Sequence, residues 1–168
     1  LLLLLAATFL LFVSISEASA QKRATLSGKQ KFAQISADAP QQVKQMIQAG
    51  NSITNRRYKW GGGHIWRTSF VRPPRRDRGY DCSGSVSYLL QSAGLLGQPR
   101  TSGGFKTYGR GGRGAWVTLY TNKEHVFMVV AGLRWDTSYI TDGDKSGPGW
   151  SSMMRPTRGF KVRHIFVK

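Results

Sequence analysis

Two segments in the first half of the chain carry apolar residues at helical spacing. In the first segment, Val43, Met46 and Ile47 recur at intervals of three and four residues. This spacing places the three side chains on one face of a helix. Asp38 is the candidate for the N-terminal cap of this helix, and Gly50 is the candidate for its end. We therefore predict a short amphipathic helix between these two positions.

The second helical segment lies within the sequence GYDCSGSVSYLL. Asp81 can cap it, because a carboxylate accepts hydrogen bonds from the free N–H groups of a first helical turn. An apolar stripe follows, formed by Val86, Leu89, Leu90 and Ala93. Gly94 is expected to end the helix. Cys82 lies four residues before the first member of the stripe, so its side chain is predicted to point along the buried face.

From Ala115 onwards the hydrophobic period changes to that of β-strands. Four short runs, AWVTLY, HVFMVV, LRWDTSYI and FKVRHIFV, are separated by turn residues. Before them, the basic segment 67–78 contains two prolines, and segment 97–114 is rich in glycine. We predict a loop in each, with the glycine-rich one mobile. The order of two helices followed by an antiparallel sheet of at least four strands favours an α+β domain.

The first 20 residues have the pattern of a secretion signal. A mostly apolar run from Leu1 to Val13 leads into small residues that end at Ala20. This run is shorter than the roughly 20 apolar residues of a membrane span, although a retained membrane anchor is the alternative. Because the run has no initiator Met and no basic leader, we expect a signal peptide truncated at its N-terminus. We expect residues 21–37 to be a flexible lead-in and residues 38–168 to form one domain.

The net charge of +17 narrows the set of partners. A secreted, cell-wall or periplasmic protein this basic is expected to associate with polyanions such as anionic cell-wall polymers. A charged surface that only serves solubility is the alternative. The sequence contains no metal-ligand spacing of Cys and His, no phosphate-binding loop and no RNA-binding signature. We therefore expect no metal, no cofactor and no specific nucleic-acid partner. We also expect a monomer.

Cys82 is the only cysteine, so it cannot form an internal disulfide. A helix N-terminus stabilises a thiolate, and a neighbouring histidine oriented by a carboxylate can serve as its base. His125 and Asp136 can fill these roles if the hairpin between them has a loop of even length, because they then share one face of the sheet. The alternatives are that Cys82 is a small core residue, that His125 is polar filler in a strand, and that Asp136 only pairs with Arg134.

Three blocks of sequence carry a resemblance to a known family. They are Tyr58-Lys59-Trp60-Gly61-Gly62, Asp81-Cys82-Ser83-Gly84-Ser85-Val86 and His125-Val126. Together they resemble the NlpC-like peptidoglycan endopeptidases, which are papain-like cell-wall cysteine peptidases, over about residues 38–168. The resemblance implies a nucleophile helix packed on an antiparallel sheet. It implies Cys82 as nucleophile, His125 as base and Asp136 as the third polar residue. It also makes Tyr58 and Ser83 candidates for oxyanion or substrate contacts.

The resemblance implies a hydrolase that cleaves amide bonds in peptidoglycan stem peptides. Three departures from the family pattern indicate a remodelled substrate groove. Asp136 stands where the family usually has His, Asn or Gln, and RGAWVTLYTNKE replaces a Pro-Gly-Asp segment before the histidine strand. The interval between Tyr58 and Cys82 is also expanded. The alternative hypothesis is a non-catalytic basic cell-wall-binding module of the same fold, and an antibacterial toxin would use the same chemistry as the hydrolase.

Overall fold

A computed structural model describes residues 24–28, 32–65, 75–138 and 146–168. The helices in these ranges are α1 (Gln41–Ile53), α2 (Cys82–Ser92) and a 3-10 helix (Gly103–Thr107). The strands are β1 (Thr25–Ser27), β2 (Phe32–Gln34), β3 (Arg57–Tyr58), β4 (Gly79–Tyr80), β5 (Arg110–Gly111), β6 (Val117–Thr121), β7 (Val126–Val130), β8 (Leu133–Asp136), β9 (Gly149–Ser151) and β10 (Lys161–His164). The predicted signal segment 1–20 lies outside the described residues. Within the described ranges, no helix is long and apolar enough to cross a membrane.

Six strands form one antiparallel sheet in the order β5-β10-β6-β7-β8-β9. The four strands predicted from the sequence form its centre as β6, β7, β8 and β10. The N-terminal strands β1 and β2 pair antiparallel with each other, and β3 and β4 form a short parallel pair. Two helices with an antiparallel sheet make an α+β domain, as predicted.

The hydrophobic core lies between the sheet and helix α2. The side chains of Val86, Leu89 and Leu90 are completely buried, and α2 packs against β7, β8 and α1. Each such side chain contributes about 1.5–3 kcal/mol through burial. The predicted apolar stripe is therefore confirmed. Gly94, with φ of 69°, follows the C-terminal cap at Ala93, so the predicted end of α2 is also confirmed.

Helix α1 differs from its prediction at both ends. Its N-terminal cap is Pro40, not Asp38, and no side chain caps the first turn. The Pro40 carbonyl instead accepts the N–H groups of the first helical turn, and the proline ring fixes the entry angle. Gly50 lies inside the helix, which continues to Ile53. A Cβ on Gly50 would lie 2.4 Å from the indole of Trp150, so close packing rather than a turn requires this glycine.

The predicted flexible lead-in, residues 21–37, contains a β-hairpin in its described part, which corrects that prediction. Strand β2 packs on α1 through Asn51, and β1 pairs with β2. The Asn51 side chain accepts from the Ala33 N–H at 2.9 Å and donates to the Ala33 carbonyl at 2.8 Å. The Ala24 N–H donates to the Ala131 carbonyl at 2.9 Å. These contacts come from distant parts of the chain, so the local sequence gives no sign of them.

The glycine-rich segment 97–114 is also more regular than predicted. It contains the 3-10 helix, whose Phe105 side chain is completely buried, and strand β5, which pairs with β10. Of the predicted basic loop 67–78, residues 75–78 are described and lead into β4.

Candidate active site

Cys82 is the first residue of helix α2, directly after its cap. The Asp81 side chain accepts from the Gly84 N–H at 2.7 Å, which confirms the predicted cap. Among the described residues, the N–H groups of Cys82 and Ser83 have no hydrogen-bond partner. The positive end of the helix dipole therefore lies at the cysteine, together with two available donors.

The β7–β8 hairpin brings His125 and Asp136 onto one face of the sheet. Val130 pairs with Leu133, so the loop consists only of Ala131 and Gly132, both at positive φ (49° and 86°). A two-residue loop with this backbone is the favoured connection of twisted antiparallel strands. The loop therefore has an even number of residues, which is the condition under which His125 and Asp136 share one face of the sheet. The resulting diagonal pair places His125 Nε2 2.9 Å from Asp136 Oδ1.

Asp136 is a buried carboxylate with four hydrogen-bond donors around it. Oδ1 faces His125 and accepts from the Ser138 N–H at 3.1 Å. Oδ2 accepts from Arg134 Nη1 at 3.1 Å and from Arg155 Nη1 at 3.0 Å. Burial alone raises the pKa of such a group, but the hydrogen bond and charge of His125, the Ser138 N–H and Arg155 lower the pKa of Asp136 below its usual value. The pairing with Arg134 thus coexists with the pairing to His125.

His125 connects this carboxylate to the cysteine. Burial acts to lower the pKa of His125, but hydrogen bonds to Asp136 and Cys82 and their negative charges outweigh it and raise the pKa from 6.5 to about 9. Because Nε2 faces Asp136, the ring nitrogen left for Cys82 is Nδ1. The structure therefore brings Cys82, His125 and Asp136 into one hydrogen-bonded chain.

A second histidine lies on the other side of the nucleophile candidate. His64 Nε2 is 3.0 Å from Asp81 Oδ1 and 3.1 Å from Ser83 Oγ. Burial alone raises the pKa of Asp81, but the hydrogen bonds from His64 and from the Gly84 and Gly61 N–H groups lower it. His64 thus reinforces the cap of α2. Sequence reasoning missed this contact, because His64 follows three glycines in what reads as an exposed loop.

The loop that carries His64 lies directly against the backbone of helix α2. A Cβ on Gly84 would lie 1.9 Å from the Gly62 carbonyl oxygen, so only glycine allows this approach. The glycines in the sequence blocks WGGGH and DCSG could have indicated that the loop and the helix pack closely.

A pocket of about 300 Å³ lies beside Cys82. Its lining includes Trp60, His64, Ser83, Ser102 and Glu124. Trp60 is 85% exposed, which is unusual for a side chain of this size. The pocket therefore offers an exposed aromatic wall next to the thiol.

Tyr58 and Ser83, the two oxyanion or substrate candidates, lie on different elements. Ser83 follows Cys82 in α2 and lines the pocket. Tyr58 is half-buried in β3, where it pairs with Tyr80, the residue before the cap. Their predicted contacts to substrate stay predictions. In the described part of the chain, no group of three or more His, Cys, Asp or Glu side chains could hold a metal ion.

Comparison with known proteins identifies structural relatives only. No protein-family model and no curated protein matches this sequence. The peptidoglycan hydrolase RipB from Mycobacterium tuberculosis is 25% identical with a TM-score of 0.53, covering 74% of this chain and 64% of RipB. The P60 domain of an antigen from M. avium subspecies paratuberculosis is 25% identical with a TM-score of 0.51, covering 73% of this chain and 94% of that domain.

A variant of RipA, which is 20% identical with a TM-score of 0.52, shares the fold over 87% of this chain. The domain described here thus has the papain-like α+β fold of NlpC/P60 proteins. The predicted resemblance is confirmed, at low sequence identity. The chain spans less than two thirds of RipB.

Proposed function

We propose that this protein is a cell-wall hydrolase that cleaves amide bonds in peptidoglycan stem peptides through Cys82, His125 and Asp136. The observation that carries the proposal is the hydrogen-bonded chain of these three side chains at the N-terminus of α2. A structural cysteine needs neither a histidine partner nor a buried carboxylate behind that histidine. The arrangement has the parts of a thiol nucleophile with an oriented base.

In the acylation step, His125 Nδ1 takes the thiol proton and the Cys82 sulfur attacks the carbonyl carbon of the amide. A carbon–sulfur bond forms, and the carbonyl oxygen becomes an oxyanion. The N–H groups of Cys82 and Ser83 would donate to it, with Tyr58 as a further candidate. His125 then gives its proton to the departing amine as the carbon–nitrogen bond breaks, which leaves a thioester.

In the deacylation step, His125 removes a proton from water, and the resulting hydroxide attacks the thioester carbonyl. The carbon–sulfur bond breaks, the acid product leaves, and the proton returns to the Cys82 sulfur. Asp136 holds the ring of His125 and stabilises its charged form in both steps. The two steps need no metal ion, no oxidant and no reductant.

Peptidoglycan is proposed as the substrate because the neighbour RipB is a peptidoglycan hydrolase. Two properties of this chain agree with a wall glycopeptide. The net charge of +17 favours association with anionic wall polymers, and exposed Trp60 beside the thiol offers a flat apolar surface. Such a substrate implies that the protein acts outside the cell membrane, at the wall or in the periplasm.

Digestion of purified muropeptides tests the proposal. The unchanged protein should release peptide fragments, whereas Cys82→Ala and His125→Ala should release none and keep the folded circular dichroism spectrum. His164→Ala is a matched control, since His164 lies in β10 and contacts Gly112 and Phe166 instead of the candidate site. Full turnover by Cys82→Ala would refute the thiol mechanism. Salt-sensitive wall binding without turnover would instead favour the non-catalytic binding module.

A further inference from the structure

The two oxygens of Asp136 are divided between two kinds of partner. Oδ1 is shared by His125 and the Ser138 N–H, whereas Oδ2 takes both guanidinium groups. Arg134 lies in the same strand as Asp136 and is buried, but Arg155 comes from the segment between β9 and β10 and is 28% exposed at its side chain. Arg155 is therefore the arginine that a distant part of the chain brings to the site.

Arg155 also reaches the histidine itself. Its Nη1 atom lies 3.0 Å from His125 Nε2 and 3.0 Å from Asp136 Oδ2. The guanidinium is held over the rings of Phe127 and Phe160, at 5.6 Å and 5.8 Å from their centroids. Aromatic faces attract cations, so these rings fix the arginine in this position.

The position of the hydrogen on His125 decides whether Nε2 forms a hydrogen bond with Asp136 or with Arg155. A carboxylate oxygen 2.9 Å from His125 Nε2 needs a hydrogen between them, since two acceptors facing each other repel. With that hydrogen on Nε2, the nitrogen has no lone pair for Arg155, whose N–H then donates to Oδ2. In the other tautomer Arg155 would donate to Nε2, and Nδ1 would carry a hydrogen and lose its function as a base. Only the first tautomer gives His125 a hydrogen bond to Asp136 and also keeps a lone pair on Nδ1 for Cys82.

We propose that Arg155 is a positioning residue: it holds Asp136 by Oδ2 so that Oδ1 receives His125, and its positive charge beside the ring limits how strongly the imidazolium is held. The consequence for catalysis rests on the proposed function, while the geometry does not. A buried carboxylate alone would keep His125 protonated, although deacylation requires the neutral ring. Arg155 offsets part of that effect through like-charge repulsion.

Charged and titratable groups reach His125 from three elements. Cys82 contributes from α2 and Asp136 contributes from β8, where Arg134 pairs with the same carboxylate. Arg155 contributes from the segment before β10. Arg134 remains at Asp136 when Arg155 is changed, so the carboxylate keeps one buried cation. Loss of Arg155 therefore removes positive charge beside the ring without leaving Asp136 unpaired.

Titration of His125 by NMR tests the proposal directly. The variants are Arg155→Met, which keeps an apolar contact with the two phenylalanines, and Arg155→Lys, which keeps the charge. All are made in a Cys82→Ser background, so that His125 titrates without the thiol and no turnover is needed. His125→Gln assigns the signal among three histidines. Arg158→Met, an exposed arginine of the same segment, is the matched control.

We expect the titration midpoint of His125 to rise by about one pH unit in Arg155→Met, which is about tenfold in the proton equilibrium. Arg155→Lys should lie between this variant and the starting protein, and Arg158→Met should match the starting protein. The nitrogen chemical shifts of the neutral ring should show the hydrogen on Nε2 with Arg155 present and a mixture of tautomers in Arg155→Met. An unchanged or lower midpoint in Arg155→Met overturns the proposal, as does a hydrogen on Nδ1 with Arg155 present.

The pH dependence of muropeptide cleavage, measured with Cys82 in place, gives the second readout. Arg155→Met should lower kcat about tenfold near neutral pH with little change in KM, and it should move the acidic limb of the profile to higher pH, because deacylation requires the neutral ring of His125. A role in packing alone would lower the stability of the protein and leave both the profile and the NMR midpoint in place. If the unchanged protein shows no turnover, the proposed function fails, while the NMR experiment still decides the role of Arg155.

Discussion

Replacing Asp136 by Asn tests how the buried carboxylate controls His125. The substitution keeps the size of the side chain and removes its charge. The rise in the pKa of His125 from 6.5 to about 9 corresponds to about 3 kcal/mol, at about 1.36 kcal/mol per pH unit. This is a net value, because burial opposes the rise and Cys82 supplies part of it together with Asp136. We expect the His125 midpoint to fall by at least about one pH unit in Asp136→Asn.

The same substitution changes the dependence of stability on pH. A histidine with a raised pKa contributes stability that is fully present below its unfolded value of 6.5 and is lost as the pH rises through about 9. The unchanged protein should therefore lose stability across this window, and Asp136→Asn should lose much less. The variant should also be less stable by about 3–5 kcal/mol where the pairs are intact, because Arg134 is left as a buried cation without its carboxylate.

NMR titration of His125 and urea unfolding at several pH values are the two assays. Glu124→Gln serves as the control, because it removes a negative charge next to His125 in sequence from a side chain that is exposed to solvent. Its effect on the midpoint should be small, since water screens an exposed charge. A His125 midpoint that remains near the starting value in Asp136→Asn would refute the reasoning.

Three further substitutions test the architecture around the site. Asp81→Ala should lower the free energy of unfolding, measured by urea denaturation, by about 1–2 kcal/mol because the cap is lost. Asp81→Asn should recover part of this loss. Equal stability of all three proteins would contradict the capping role. Gly50→Ala should destabilise the protein, because its Cβ would meet Trp150 at 2.4 Å, and an unchanged melting temperature would exclude this contact. Trp60→Ala should raise KM for muropeptides at constant stability, whereas an unchanged KM would remove Trp60 from the substrate site.

The parts of the site that depend on neighbouring residues could be predicted from the sequence. Asp81 caps α2 through an N–H three residues away, and this pattern is visible in the sequence itself. The sequence also carries the signal for the His125–Asp136 pair, since the short Ala131-Gly132 turn fixes the register. The fold class followed from the change of hydrophobic period at Ala115.

The parts that depend on distant residues could not be predicted in this way. Asn51 stabilises the β1–β2 hairpin from helix α1, so a polar lead-in without periodicity becomes regular structure. In the sequence, Gly50 indicates the end of a helix. Only the fold shows that this position requires glycine because of its close contact with Trp150. Nothing in the sequence around Arg155 indicates its link to Asp136, which exists only through the fold.

Mass spectrometry of muropeptides after incubation with the purified protein, with Cys82→Ala as its pair, tests the central claim most directly. If the protein is a thiol hydrolase, new fragments should appear that differ by cleavage of one amide bond in the stem peptide. These fragments should be absent with Cys82→Ala, although that variant remains folded. Identical fragments from both proteins, or none from the unchanged protein, would contradict peptidoglycan cleavage by Cys82.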